Sequence, residues 1–159
     1  TTEFDILMES LLKKEFKETK EFEKRLRGYL AESTSYHDHS EEKDYHNLMN
    51  GFLSTLGLEF MVISNRESGD GRYDHALIPR VNEARDIAFI FEYKKAVNKE
   101  DKELDLAAEK GLEQIDQHQY DTGIKQHSQV KQIIKVGLAF YGKKVKAKYK
   151  IEEKTSDGD

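Results

Sequence analysis

The chain has 159 residues, 36% of them charged and 36% apolar, with a formal net charge of −5. That length suits one domain able to bury roughly two thirds of the surface its unfolded chain would expose. No apolar run approaches the ~18 residues of a membrane span. Cysteine is absent, which excludes disulfides and thiolate metal sites and fits a reducing compartment, the cytoplasm.

Thr1 to Asp5 has neither a basic region nor an apolar core, so it does not read as a signal peptide. The chain does not start with Met, which is compatible with a piece of a longer polypeptide. Phe4, Leu7, Met8, Leu11 and Leu12 recur at helical spacing and predict a helix from Phe4 to Leu30. A polar connection over 32–40 leads to a second helix, Asp44 to Leu56, with Tyr45, Leu48, Met49 and Phe52 on one face and Gly57 as its stop. Leu58 to Ser64 reads as a strand, 65–72 as a loop with two glycines, Tyr73 to Pro79 and Asp86 to Lys94 as two more strands. Leu104 to Ile124 reads as one long helix. Gln132 to Phe140 and Lys144 to Ile151 form a hairpin turning near Gly142, and Glu152 to Asp159 is a polar tail expected to be disordered. The order α-α-β-β-β-α-β-β predicts one α/β domain over residues 1–151, with a mixed central sheet of four or five strands flanked by helices.

The strand pair in the middle carries the chemistry. Asp74 opens one apolar run, and Glu92 and Lys94 close another, Ile87 to Phe91. Side chains alternate along a strand, so Glu92 and Lys94 share a face with Ala88 and Ile90. Burying such charges without partners is costly. A neighbouring carboxylate, Asp74, with a cation between the two would supply the partner. Oxygen ligands of this kind suit Mg²⁺ or Mn²⁺, and Lys94 beside them can hold a water or a phosphate oxygen. The bland alternative is a plain Glu–Lys pair on an edge strand.

Two helical positions add to this. Glu42 and His46 are four apart and stack on one face if the helix starts early enough, although the spacing alone favours an ordinary exposed pair. Ala107, Gly111 and Gln114 form a stripe on the long helix that would turn Gln114 to the sheet, either toward the acidic strand ends or as a structural cap. His37, His39, His118 and His127 show no metal-cage spacing. There is no phosphate loop ending in Lys-Ser/Thr and no Gly-x-Ser-x-Gly elbow. From Thr122 to Ile151 there are eight lysines and no acid, a segment of +8 against −13 for the rest. That is the footprint of a phosphate-backbone binder. It is also how a solvated edge strand looks, since Lys144, Lys146 and Lys148 alternate with Val145, Ala147 and Tyr149. Both readings stand.

The chain resembles the PD-(D/E)XK nuclease superfamily, and within it the bacterial branch found C-terminal to an AAA-ATPase-like domain. The resemblance runs from Phe22 to Tyr149. It rests on Ser35-Tyr36-His37-Asp38, on Tyr45-His46-Asn47-Leu48 leading to Leu56-Gly57, and on Ser64 to Asp74 ending in Gly71-Arg72-Tyr73-Asp74. It continues through Phe91-Glu92-Tyr93-Lys94, Leu112-Glu113-Gln114-Ile115 with Tyr120, and Val136 to Phe140. It implies a restriction-endonuclease-like core. It also implies Asp74 and Glu92 as metal ligands, Glu42 as a further helix-borne ligand and Lys94 as the catalytic lysine. Gln114 and Tyr120 would touch the site or the nucleic acid, with His46 and Arg72 in support and Lys144, Lys146 and Lys148 along the backbone. The implied cofactor is Mg²⁺ or Mn²⁺. The implied partners are nucleic acid, DNA foremost, and an ATPase-like module in the full-length protein or in trans. Only that module departs from the family arrangement. Two function classes follow: a metal-dependent nuclease, or a non-catalytic nucleic-acid- or protein-binding module that serves the ATPase-like partner.

Overall fold

The computed structural model describes residues 24, 26–28, 30–31, 40–54, 56–65, 73–81, 85–118 and 121–154. Its centre is a mixed sheet of five strands in the order β1-β2-β3-β4-β5: β1 Phe60–Ser64, β2 His75–Pro79, β3 Ile87–Lys95, β4 Gln132–Tyr141 and β5 Lys144–Glu153. Neighbours run antiparallel except β3 and β4, which are parallel. A parallel pair needs a long crossover. Helices α2 (Asp101–Gln117) and α3 (Asp121–Lys125) supply it. Helix α1 (Glu42–Ser54) precedes the sheet.

The strand sequences match their places. Strands β3 and β4 are central and covered on both faces, and both are almost continuously apolar and buried. Strand β5 is an edge, and its alternate lysines keep it from pairing further. One face of the sheet (Leu77, Phe89, Phe91, Tyr93, Val136, Leu138, Phe140) packs under α1 together with Leu26 and Leu30. Tyr45 of α1 stacks on Phe140 at 4.4 Å and donates its hydroxyl to the Gly142 carbonyl at 2.8 Å. That bond ties α1 to the β4–β5 turn, where Gly142 takes the left-handed φ of 57° that a side chain disfavours.

The opposite face carries α2. Ala88, Ile90 and Ile133 meet Ile115, and Ala139 meets Leu104 and Ala108. The helix sits unusually close. A methyl group added at Gly137 would lie 2.2 Å from the Ala108 carbonyl oxygen and 2.8 Å from the Leu112 nitrogen. Both are backbone atoms, so nothing flexible can yield. Gly137→Ala is therefore expected to lift α2 and destabilise the fold by roughly 2–4 kcal/mol. A urea midpoint unchanged from wild type would contradict this.

Several boundaries differ from the sequence expectation. Helix α1 starts at Glu42, two residues early, with Glu42 and Asp44 in its first turn where the helix dipole favours acids. The single helix expected over 104–124 is two: α2 stops at His118, whose φ −90°, ψ 0° is non-helical. The apolar stripe has no member between Ile115 and Ile124 to hold a continuous helix down. Strand β5 runs to Glu153, so Glu152 and Glu153 belong to the sheet rather than the tail. Of the helix expected from Phe4 to Leu30, residues 24, 26–28 and 30–31 are helical, and its earlier part lies outside the described residues, as does the tail from 155. Among the described residues no helix is long and apolar enough to cross a membrane.

Candidate functional site

Strand pairing brings the two expected carboxylates together. His75 stands opposite Phe91 and Ala76 opposite Ile90, so the antiparallel register carries Asp74, one residue before β2, opposite Glu92. The Asp74 N–H donates to the Phe91 carbonyl at 3.1 Å. Residues opposite each other across strands share a face. Both are buried, Asp74 to 3% exposure and Glu92 to 2%.

Asp74 is held at both oxygens. Its Oδ2 accepts the Tyr93 backbone N–H at 2.8 Å, and its Oδ1 lies 2.8 Å from His46 Nδ1. Glu92 is much less satisfied. Its Oε1 receives a long 3.4 Å contact from Gln114 Nε2, its buried Oε2 meets no donor among the described residues, and a hydrogen bond to Asp74 forms only while one of the two carboxyls keeps its proton. Burial, and then the charge of Asp74 beside it, push the Glu92 carboxyl up to about 9. Lys94 pulls the other way without prevailing. A buried polar atom with no partner is uncommon. Here it faces a second carboxylate, and a small hard cation is what two such oxygen donors fit.

Lys94 is two residues along β3 on the same face, half-buried, its stem running beside Gly111 of α2. Small residues let α2 come close: a Cβ at Gly111 would lie 3.4 Å from the Glu92 carbonyl oxygen and 3.6 Å from Lys94 Cγ. Glu42, in the first turn of α1, stands at the rim. The residue is exposed as a whole, but loss of solvent around its carboxyl raises it, and Asp74's charge adds to this. Lys94 and the Lys95 N–H act against that rise. Among the described residues no three His, Asp or Glu side chains gather as a metal cage, so Glu42 does not complete one with Asp74 and Glu92. A groove of about 790 Å³ opens beside Lys94 along α2, lined by Lys95, Lys110, Gln114 and Gln117.

His46 is not the exposed helix-start residue that its spacing favoured. It is 4% exposed and lies against Asp74. Arg72 and Tyr120 lie outside the described residues. His75 and Tyr93 complete the polar surroundings and were missed in the sequence, although a histidine inside the apolar run His75 to Pro79 was a signal. Burial, with His46 beside it, lowers His75 to about 3, which keeps it neutral. Burial likewise raises Tyr93 well above the phenol range.

The lysine-rich segment is partly neutralised, by acids that meet Lys125, Lys135 and Lys150. Lys135 is buried and pairs with Asp116 (2.8 Å) and with Glu152. Lys125 pairs with Glu152 at 2.7 Å and Lys150 with Asp116 at 3.3 Å. Burial works to raise Glu152, but the hydrogen bonds and charges of Lys125 and Lys135 outweigh it and bring the carboxyl down to about 2. The register puts Glu92, Gly137 and Lys148 in one row across the sheet, and Lys94, Ala139 and Lys146 in the next. Helix α2 lies on Gly137. Lys146 and Lys148 therefore stand on the far flank of α2 from Glu92. Lys144, nearer the turn, reaches the Lys99 carbonyl at 3.1 Å.

A family model described as the PD-(D/E)XK nuclease superfamily matches residues 40–150, a span that runs from the start of α1 nearly to the end of β5. No curated protein matches the chain.

Proposed function

The chain belongs to the PD-(D/E)XK nuclease superfamily, and from that premise we propose that it hydrolyses phosphodiester bonds of nucleic acid, DNA foremost, with Mg²⁺ or Mn²⁺ held by Asp74 and Glu92. The observation that supports this most is the pair of buried carboxylates on adjoining strands, one of them with an oxygen that no hydrogen bond satisfies. A divalent ion there would lower the pKa of its water and neutralise charge building on the scissile phosphate.

The protein's own groups do the rest. Asp74 and Glu92 form one wall of the site, and α2, held close by Gly111 and Gly137, forms the other. Lys94 presents an ammonium group from the same face as Glu92, where it can hold a non-bridging phosphate oxygen or orient the attacking water. Gln114 positions the Glu92 carboxyl through its amide. Glu42 at the rim is within the electrostatic reach of Asp74 and Lys94 and is proposed as an outer acidic group that a second cation could use.

The test is cleavage of supercoiled plasmid and of labelled oligonucleotides with Mg²⁺ or Mn²⁺ and with a chelator. Cleavage is expected with metal, absent with chelator, and lost in Asp74→Ala. Metal-independent cleavage would overturn the reading. Binding of DNA without any cleavage would favour a non-catalytic module.

The resemblance that runs from Phe22 to Tyr149 supports a place beside an AAA-ATPase-like module, in the same polypeptide or in trans. Lys144, Lys146 and Lys148 are proposed to carry backbone contacts across α2 from the site. Replacing all three with Ser is expected to weaken DNA binding alike across sequences, and to reduce the salt slope by about 0.9 per lost contact. Unchanged affinity and slope in a titration over NaCl would leave these lysines as guards of the β5 edge only.

A further inference from the structure

We propose that His46 is a positioning residue for the metal centre described above, on which this inference rests: clamped by Ser64, His75 and Tyr93, its imidazole aims Asp74 at the cation. A ring of contacts on the α1 side of the sheet carries the proposal. His46 Nδ1 lies 2.8 Å from Asp74 Oδ1, and because a carboxylate can only accept, the imidazole donates there. His46 Nε2 lies 3.1 Å from Ser64 Oγ, and the Ser64 hydroxyl donates its single proton to Asn50 Oδ1 at 2.8 Å. The same Asn50 oxygen meets His75 Nε2 at 2.5 Å, and His75 Nδ1 meets the Tyr93 hydroxyl at 2.8 Å. The backbone N–H of Tyr93 then returns to Asp74 Oδ2 at 2.8 Å and closes the ring.

The ring starts and ends on one carboxylate. His75 follows Asp74 in the chain and Tyr93 follows Glu92, so strand alternation turns the two clamping residues to the face opposite the one that carries Glu92. The rings lock His46 further: it stacks on His75 with centroids 4.4 Å apart and meets Tyr93 edge-on at 6.0 Å. Each oxygen of Asp74 thus has one directed partner and keeps a lone pair for a cation. The carboxylate cannot turn without breaking a buried bond. Groups that hold a metal ligand in this way typically matter by 10–100-fold in metal affinity.

A histidine that merely fills the core would act differently from one that aims Asp74, and two substitutions separate these roles. In His46→Asn the amide nitrogen sits at the δ position and can still donate to Asp74. In His46→Gln it sits at the ε position, suits Ser64 and leaves Asp74 Oδ1 bare. Both remove the ring and its stacking, so both should lower the melting temperature alike. Mn²⁺ calorimetry on the intact chain is expected to show affinity within about 3-fold of wild type for His46→Asn, and a 10–100-fold loss for His46→Gln. Cleavage by His46→Gln should recover as Mn²⁺ is raised. Equal Mn²⁺ affinity in the two variants, high or low, would overturn the positioning role. If neither variant folds, Ser64→Ala at the exposed end of the ring decides instead: the expected loss is about 3–10-fold, and unchanged affinity overturns the proposal. Wild-type protein that takes up no Mn²⁺ would overturn the metal reading itself, and this inference with it.

Discussion

Glu92→Gln is expected to do two opposite things: abolish cleavage and stabilise the metal-free protein. If Asp74 and Glu92 hold the cation as proposed, removing one of them takes away several kcal/mol of transition-state stabilisation, so a loss of about 10³-fold or more is expected. The stability effect follows from the raised carboxyl. Below pH 4.5 Glu92 is protonated in both the folded and the unfolded chain, and it contributes no pH dependence. Between there and about 9 the unfolded chain releases the proton while the folded site, buried beside Asp74, retains it. Stability of the metal-free wild type therefore falls as pH rises through this window. A glutamine has the same shape and no proton to lose. At pH 7.5 the variant is expected to be more stable by about 1–3 kcal/mol, and higher in melting temperature by roughly 3–10 °C. At pH 4 the two should melt together. Mn²⁺ should then raise the wild-type melting temperature at pH 7.5 and leave the variant where it was. A variant less stable than wild type at pH 7.5 and equally responsive to Mn²⁺ would remove Glu92 from the site.

This part of the molecule was legible in the chain because it depends on local order. An apolar run that ends in Glu92-Tyr93-Lys94 reads as a buried strand, with an edge strand as the alternative, and alternation alone puts Glu92 and Lys94 on one face. What escaped notice depends on how distant elements meet. The four-residue spacing of Glu42 and His46 says that they share a face but not what covers it. Packing of α1 over the ends of β1, β2 and β3 buries His46 against Asp74 and leaves Glu42 at the rim. Asn50 extends that spacing by another turn and joins the same ring of contacts, a hint that was available in the chain. The eight lysines between Thr122 and Ile151 read as an unneutralised block because the acids that meet three of them, Lys125, Lys135 and Lys150, come from elsewhere. Asp116 lies on α2 and Glu152 at the end of β5, in residues that the sequence pattern assigned to a long helix and a tail. The break after Gln117 was hidden too, since Ile124 is buried but from a separate short helix.

Lys94→Met is expected to separate catalysis from metal binding. The substitution keeps most of the stem that runs beside Gly111, so α2 should stay in place. It removes the one cation that both Glu92 and Glu42 feel from this face. An ammonium group beside a divalent ion repels it, so its loss cannot weaken the ion's hold through charge. Mn²⁺ affinity should be unchanged or slightly higher. The rate should nevertheless fall by about 10²–10⁴-fold, the range expected when a group that stabilises developing charge or positions a proton is removed. Lys94→Arg should recover little of it, because a planar guanidinium neither fits the space of a compact ammonium nor gives up a proton. Measured as kcat at saturating Mn²⁺ next to a calorimetric Mn²⁺ titration, the two variants test whether Lys94 acts on the substrate. If Lys94→Met cleaves at the wild-type rate, or fails only because it no longer takes up Mn²⁺, the lysine belongs to the packing of β3 against α2. The chemistry would then have to rest on Asp74 and Glu92 alone.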